Sequence, residues 1–453
     1  MPLNTLKITN PATGQAIQTL PIDTAKSIKF RFESARAAQP VWAALPFAER
    51  IGIMEKLRDR LAAESADLAS ILTTETGTPI AQSRCELVSV LEYLDAFIAA
   101  APRALGCGAD GDTASGGMRG SVTIEPLGVI ASISTWSHPY LAGCKVFIPA
   151  LLAGNAVLYK PSEYATLPGL AIARLLHQSG VPEDIFSSII GHSNMGEELL
   201  RYGLDGVFFT GSRTNGRRIV EALGGRMPRL QLELGGKNPV YVCEDADIAN
   251  AAVEIARGAF MNSGQDCRAV SLIYVHENIG RPFLAAFADE VKRYRPGDPM
   301  NNNTLIGPIV VPERLARLNE YLADAQALGA KLLVGGRRAA GEYRWFEPLV
   351  LAGVNHGMTI MRRDNNAPIA GIMTVAGDTE ALEQMNDSHY RLSAAVFSRT
   401  RERAEKILAG TNCDSAYWNC CARLNPGAPW TNAGSGLLPV SSIRSFTRLK
   451  AWY

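Results

Sequence analysis

The stretch from Gly128 to Leu234 alternates short apolar runs with segments of helical length: VIASIS (129–134), AVLY (156–159), FSSII (186–190), GVFF (206–209) and LQLEL (230–234). This alternation is typical of repeated β-α-β units and predicts a largely parallel sheet. Parallel sheets are covered on both faces and bind ligands beyond the carboxyl ends of their strands. We therefore predict an α/β domain whose ligand contacts lie in the loops of Trp136, Lys160 and Gly211.

The flanking sequence extends this architecture on both sides. Upstream, residues 47–72 and 80–101 have the periodicity of amphipathic helices. Downstream, from Gly235 to about Asn419, helix-like stretches such as 311–328 alternate with apolar runs such as 393–398. A chain of 453 residues can bury a large core, and these patterns predict two α/β domains in it.

Composition excludes several classes of partner. The 45 basic residues nearly cancel the 44 acidic ones, which removes the electrostatic case for nucleic acid or an anionic membrane. The eight cysteines lack metal or disulfide spacing, and neither a secretory leader nor a long apolar span is recognisable. We expect a cytoplasmic protein without a metal, whose partners are small molecules or further copies of itself.

A glycine-rich match to the dinucleotide fingerprint, GCGADG at 106–111, has the wrong context. The fingerprint works only where a strand delivers the glycines to a helix that faces the pyrophosphate. This match follows a helical stretch and leads into a polar segment, so we interpret it as a loop.

A second constellation is more informative. FTGS at 209–212 closes an apolar run and is followed by Gly216, ELGGK occupies 233–237, and NSGQDC occupies 262–267. Together with KPSE at 160–163, these motifs resemble the aldehyde dehydrogenase superfamily. The resemblance extends from NPATG at 10–14 to NDS at 386–388 and PW at 429–430, and so covers almost the whole chain.

The resemblance implies an aldehyde dehydrogenase-like α/β fold in three parts. Residues 1–117 and 127–232 would form a parallel-sheet dinucleotide-binding domain, and residues 233–425 an α/β catalytic domain. Residues 118–126 and 436–453 would form a small β extension for oligomerisation, which implies a homodimer or homotetramer.

The resemblance also assigns the chemistry. Cys267 would attack the aldehyde, because a thiolate adds readily to a carbonyl carbon and its thioester transfers the acyl group to water. Glu233 would activate that water, and its apolar strand is a setting that raises a carboxyl pKa into the range of a general base. The sequence leaves the ionisation of Cys267 open, since Asp266 opposes it and Arg268 favours it.

The cofactor implied is NAD. Lys160 and Glu163 match the family residues that bind the adenine ribose hydroxyls, and a carboxylate there repels the 2′-phosphate of NADP, which is therefore less favoured. The complete set of predicted cofactor contacts is Trp136, Lys160, Ser162, Glu163, Gly211, Ser212, Gly216, Leu234 and Asp364.

Some positions depart from the family pattern. Ser137 replaces the asparagine whose amide stabilises the oxyanion, and loss of such a donor costs on the order of 3 kcal/mol in the transition state. Neighbouring His138 is an alternative donor. Asp364 is one methylene shorter than the usual glutamate, and Asn366 replaces the aromatic that packs on the nicotinamide. Arg391 replaces a glycine, and Thr431-Asn432 replaces a glycine pair.

The leading hypothesis is oxidation of an aldehyde to a carboxylate through a thiohemiacetal and a thioester on Cys267, with Ser137 at the oxyanion and Glu233 as base. The departures leave two alternatives open: a degenerate member that acts as a binding or scaffold protein, or a non-redox thiol esterase or acyl transferase. Arg268 and Arg391 also raise the question of an acidic substrate.

Overall fold

The computed structural model describes residues 5–106, 121–336, 344–422 and 439–452. Its strands are β1 Thr5–Thr9, β2 Ala16–Pro21, β3 Ser121–Pro126, β4 Val129–Ile133, β5 Ala156–Lys160, β6 Phe186–Ser188, β7 Gly206–Gly211, β8 Arg229–Leu234, β9 Asn238–Val242, β10 Val270–His276, β11 Lys331–Val334, β12 Leu349–Ala352, β13 Ile369–Val375, β14 Ser393–Phe397, β15 Ser415–Trp418 and β16 Thr447–Trp452.

Its helices are α1 Ala25–Ala44, α2 Phe47–Ala63, α3 Ser65–Thr76, α4 Ile80–Leu105, α5 Pro139–Leu152, α6 Thr166–Ser179, α7 Ser193–Leu199, α8 Arg213–Leu223, α9 Ile248–Phe260, α10 Gly280–Val291, α11 Pro312–Ala327, α12 Thr359–Arg362, α13 Asp378–Asn386, α14 Arg401–Ala409 and α15 Pro439–Arg444. Two short 3-10 helices occupy Met261–Gly264 and Glu277–Ile279.

The first sheet has the order β6-β5-β4-β7-β8, and every neighbouring pair in it is parallel. This confirms the parallel sheet predicted from the apolar runs. All residues of β5 and nearly all of β4 are buried, because helices cover the sheet. The carboxyl ends of β4, β5, β7 and β8 therefore lie along one edge, where the loops that follow them meet.

The helical stretch predicted over residues 47–72 is interrupted. α2 ends at Ala63 and α3 begins at Ser65, with Glu64 between them. α2 packs on α4, α5 and α6, whereas α3 packs mainly on α4 and α6, so the two segments differ in their packing partners. Tertiary packing thus divides a pattern that is continuous in sequence.

The second sheet has the order β11-β12-β13-β10-β9-β14-β15. β11 is antiparallel to β12, and the other pairs are parallel. The second α/β unit predicted from the sequence is therefore present, with a mixed sheet. β8 closes the first sheet and β9 belongs to the second, and only the turn 235–237 separates them.

The predicted β extension contains an antiparallel pair, β3 with β16, in which Ser121 faces Trp452 and Pro126 faces Thr447. Helix α15, which the prediction placed in this extension, is not part of the strand pair. It packs on α4 and buries Ile443 in the core of the first unit. Residues 118–120 and 436–438 of the predicted extension lie outside the described residues. So do 107–111 of the rejected glycine motif and the departure at 431–432. The domain boundaries stay predictions.

A buried amide joins the first sheet to the C-terminal strand, and it provides a test of the fold. Asn155 is fully buried; its Oδ1 accepts the Gly128 N–H at 2.9 Å, and its Nδ2 donates to the carbonyls of Ala150 and Phe446, both at 3.0 Å. We expect Asn155→Ala to lower the free energy of unfolding by about 2–4 kcal/mol, since buried partners lose their hydrogen bonds.

Thermal scans at one fixed rate measure this effect as a lower unfolding midpoint. Exposed Asn303→Ala is the matched control, with no expected change. Equal midpoints for the two variants would show that Asn155 does not hold these segments together.

Candidate functional site

A cleft of about 740 Å³ lies along the edge where the strands of the first sheet end. Most of the predicted site residues line it, namely Trp136, Ser137, Lys160, Ser162, Glu163, Gly211, Ser212, Glu233, Leu234 and Cys267. Gly216 and Asp364 are not part of its wall. Residues distant in sequence thus share one cavity.

The segment that leads to Cys267 has an unusual backbone. Asn262, Ser263 and Gly264 have φ values of 49°, 55° and 66°. A Cβ on Gly264 would lie 2.3 Å from the Ala367 carbonyl oxygen, so only glycine fits there. Strain of this kind persists where the surrounding structure enforces it, and it is concentrated at functional sites.

Hydrogen bonds hold this segment in place. The Asn262 Nδ2 donates to the Ser137 carbonyl at 3.1 Å, and the Asn262 Oδ1 accepts from the Thr78 hydroxyl at 3.1 Å. The carbonyl of Cys267 itself accepts two hydrogen bonds, from the Gly236 N–H at 3.2 Å and from the Asn238 Nδ2 at 2.9 Å. The turn between β8 and β9 therefore fixes the backbone of Cys267.

A buried ion pair flanks Cys267. Nη2 and Nε of Arg268 donate to the two carboxylate oxygens of Asp266 at 2.6 and 3.0 Å, and both side chains are buried. His138 lies beside the pair, with Nε2 3.5 Å from Nη2 of Arg268. Burial lowers the pKa of His138 to about 4, so the ring is neutral. Burial alone would raise the pKa of Asp266, but Arg268 and His138 hold it well below its usual range.

The thiol of Cys267 keeps its proton at neutral pH. Burial, and after it the Asp266 carboxylate, raises the pKa of Cys267 to about 12, while Arg268 acts in the opposite direction. Asp266 and Arg268, whose opposing effects left the ionisation of Cys267 open in the sequence, thus form an ion pair with each other. Arg268 therefore does not convert the thiol to a thiolate. A base is needed for nucleophilic attack.

Glu233 is a carboxylate in the same cleft whose pKa suits it to act as this base. It lies near the end of β8, and its Oε1 accepts a hydrogen bond from the Gln231 Nε2 at 2.9 Å. Burial raises the pKa of Glu233 to about 7, although Gln231 and the ammonium of Lys145 oppose the shift. A carboxyl that titrates near neutrality can accept and release a proton during turnover.

Ser137 lines the cleft at the predicted oxyanion position. Its hydroxyl lies 3.4 Å from that of Thr135, and its backbone N–H donates to the same Thr135 oxygen at 3.5 Å. These are long contacts, so the Ser137 hydroxyl can reorient toward a ligand. The alternative donor, His138, also lines the cleft, and its Nε2 lies close to the Asp266–Arg268 pair.

The other end of the cleft has groups suited to a nucleotide. The Lys160 Nζ lies 3.6 Å from the Glu163 carboxylate, which offers a donor and an acceptor for ribose hydroxyls. Helix α8 begins after its N-cap, Ser212, and carries no acidic residue in its first turn, so its positive end suits a pyrophosphate. The chemistry of these groups fits a dinucleotide.

Gly216 has a packing role under this wall. A Cβ at Gly216 would lie 2.7 Å from a methyl group of Leu234, so the missing side chain lets α8 approach β8 closely. Leu234 lines the cleft, and Gly216 lies behind it without being part of the wall.

The departures at 364–366 produce a polar wall. Asn366 lines the cleft with φ 39°, and its Nδ2 donates to the Asp364 carboxylate at 3.3 Å. The buried Nζ of Lys237 lies 3.4 Å from the Asn365 Oδ1, and burial lowers the pKa of Lys237 to about 7. The contact predicted between Asp364 and the cofactor stays a prediction. Arg391 has an exposed side chain and is not part of the cleft wall.

The described residues contain no cluster of histidine, cysteine or carboxylate side chains fit to hold a metal ion. No helix within 5–106, 121–336, 344–422 and 439–452 is both long and apolar enough to cross a membrane.

Comparison with known proteins agrees with this geometry. The sequence profile of the aldehyde dehydrogenase family matches residues 2–436. The chain belongs to this family.

Relatives of this family member differ in their named substrates. It is 33% identical over 422 residues to a 3,6-anhydro-alpha-L-galactose dehydrogenase of Streptomyces coelicolor, covering 92% of this chain and 85% of that protein. It is also 33% identical to a putative succinate-semialdehyde dehydrogenase [NADP(+)] of Mycolicibacterium smegmatis, with coverages of 89% and 80%. PnpE from Pseudomonas sp. WBC-3, also solved with nicotinamide adenine dinucleotide, superposes with a TM-score of 0.94 at 30% identity, covering 99% and 93% of the two chains.

Two residues of this aldehyde dehydrogenase family member were missed by sequence reasoning. Asn238 is a buried amide at the start of an apolar strand, and Lys145 is the one charged residue of the apolar helix α5. A single polar residue within an otherwise apolar strand or helix could have marked each of them as functional. The residues that Asn238 and Lys145 interact with, however, cannot be identified from one sequence.

The hydrogen bond from Asn238 to the Cys267 carbonyl provides a test of the site. Asn238→Ala removes the 2.9 Å hydrogen bond and another, at 3.0 Å, to the Ala269 carbonyl. We expect kcat for aldehyde oxidation to fall about tenfold to hundredfold, because small displacements of a reacting group are costly. Exposed Asn278→Ala is the control. An unchanged kcat in Asn238→Ala would mean that the hydrogen bonds of Asn238 do not position the thiol of Cys267.

Proposed function

We propose that this protein is an NAD-dependent aldehyde dehydrogenase that converts an aldehyde and water to a carboxylate. The observation that carries the proposal is the shared cleft of Cys267 and Glu233, in which the thiol segment is fixed by hydrogen bonds and the carboxyl titrates near neutrality. A chain without catalytic function has no structural need for this combination.

In the proposed reaction, the sulfur of Cys267 forms a bond to the aldehyde carbon. The thiol proton passes to Glu233, because Asp266 is already occupied by Arg268. The Ser137 hydroxyl and the Cys267 backbone N–H stabilise the oxyanion of the thiohemiacetal. Glu233 releases the thiol proton to solvent before hydrolysis. It then takes a proton from the water that attacks the thioester carbon, and returns that proton to the departing Cys267 thiolate. The carboxylic acid product loses its own proton to solvent and leaves as the carboxylate.

NAD, when bound in the cleft, would supply the acceptor for the hydride of the thiohemiacetal. We propose NAD over NADP because the Glu163 carboxylate accepts from a 2′-hydroxyl and repels a 2′-phosphate. The contact of Glu163 with Lys160 keeps this carboxylate in the cleft wall. The predicted contacts of Trp136, Ser162, Gly211, Ser212 and Leu234 belong to the same proposal, as does that of Asp364.

We also propose that the chain assembles as a homodimer or homotetramer in the cytoplasm. Strand β16 carries two large apolar side chains, Leu449 and Trp452, which are 73% and 48% exposed. Large apolar side chains on a two-stranded ribbon favour burial against another subunit.

The redox assignment is tested with purified protein, NAD and a panel of aliphatic, aromatic and carboxylated aldehydes. We expect NADH formation at 340 nm that is abolished in Cys267→Ala, because that variant lacks the nucleophile. Exposed and remote Cys85→Ala should retain activity. Turnover of an activated ester together with a failure to oxidise any aldehyde would favour the thiol esterase. Absence of NAD binding and of both activities would favour a binding protein.

The pH dependence tests the role of Glu233. Its pKa is raised to about 7, so the competent carboxylate is lost as the pH falls through that value. We expect kcat to decrease about tenfold per pH unit below this point and to level off above it. Glu233→Gln should have a low kcat without this acid limb. An unchanged limb in Glu233→Gln would assign the titration to another group.

A further inference from the structure

Two basic side chains that the proposed reaction does not use lie near Cys267. Arg268 directly follows Cys267, is buried, and lines the cleft. Lys145 extends from α5, and its Nζ lies 4.3 Å from the centroid of the Tyr93 ring. Lys145 acts electrostatically on Glu233, Arg268 and Cys267, although it is not part of the cleft wall. Arg268 therefore faces the position where an aldehyde must bind, and Lys145 adds positive potential there when it is protonated.

The guanidinium of Arg268 is only partly satisfied. Nε and Nη2 bind Asp266, whereas the buried Nη1 has no hydrogen-bond partner within the described residues. A buried donor without a partner carries a large desolvation cost, and the cost is greater for a charged group. Such a group in the wall of a substrate cleft indicates that a ligand supplies the missing acceptor.

The charges around these cations leave room for an anion. Burial raises the pKa of Glu86 to about 8, so this neighbour is protonated at neutral pH, and His138 is neutral as well. Asp266 is ionised and bound to Arg268. Glu233, whose pKa is raised to about 7, carries only part of a negative charge at neutral pH. Burial lowers the pKa of Lys145, and an anionic ligand nearby would favour its charged form.

We propose that Arg268 binds an anionic group of the substrate and that the charge of Lys145 supports this binding electrostatically, so that this enzyme prefers short aldehydes that carry a carboxylate. The proposal rests on the proposed aldehyde oxidation and adds its substrate class. Arg268 is adjacent to Cys267 in sequence, so a carboxylate bound there lies only a few bonds from the carbonyl carbon. Of the two arginines singled out in the sequence, the exposed Arg391 has no part in this site.

The test compares kcat/KM for 4-oxobutanoate, which is anionic, with that for pentanal, a neutral aldehyde of similar length. We expect a preference of about tenfold or more for 4-oxobutanoate, the effect typical of one charge-assisted hydrogen bond. Lys145→Met should reduce this ratio about tenfold, and Lys145→Arg should restore most of it. Effects on folding or on Glu233 change both substrates together and cancel in the ratio.

The contribution of Arg268 needs a paired change, because removing it alone would leave Asp266 buried without a partner. Asp266→Asn combined with Arg268→Gln replaces the ion pair with two neutral amides. We expect this double variant to lose the preference for 4-oxobutanoate. Lys292→Met, whose side chain is 60% exposed and pairs with Asp289, is the control and should keep it.

An independent readout uses no turnover. Succinate should slow alkylation of Cys267 by iodoacetamide in the wild type more than butyramide does, and Lys145→Met should lose this difference. Equal protection by the two compounds, or oxidation of pentanal as efficient as that of 4-oxobutanoate, would overturn the anion site while leaving aldehyde oxidation intact. Failure to oxidise any aldehyde would overturn both proposals.

Discussion

The hydrogen bonds that hold the Cys267 carbonyl are the constraint on which the site depends. Gly236 donates to it from the turn that joins the first sheet to the second, and Asn238 donates to it from the first position of β9. The segment before Cys267 has left-handed backbone at successive residues, a conformation that a free loop would relax. Anchoring the carbonyl makes the strained path stable and directs the thiol into the cleft.

The second determinant is the buried pair of Asp266 and Arg268. A buried ion pair contributes little to stability by comparison with apolar packing, and breaking it is costly. Here it places opposite charges next to the nucleophile in sequence, and the effect of Asp266 on the pKa of the thiol exceeds the opposing effect of Arg268. The thiol remains protonated, so its activation depends on Glu233 and on what binds in the cleft.

Much of the first unit was predictable, because apolar runs flanked by glycine or proline determine strands whatever the tertiary context. The cleft was predictable as well, since the carboxyl ends of parallel strands meet at one edge. The break at Glu64 was not, because it arises from packing between helices. Lys145 and Asn238 were also missed: their importance depends on partners more than twenty residues away in sequence, such as Cys267 for Asn238.

The passage of the chain from β8 to β9 through 235–237 has a mechanical consequence. Glu233 belongs to the first sheet, and the backbone of Cys267 is tied to the short turn between the sheets. Any rotation of one unit against the other must bend the chain at this turn, so it changes the separation of base and nucleophile directly. A rotation that opens the cleft would therefore also move Glu233 away from its alignment with Cys267, with the turn 235–237 as the hinge.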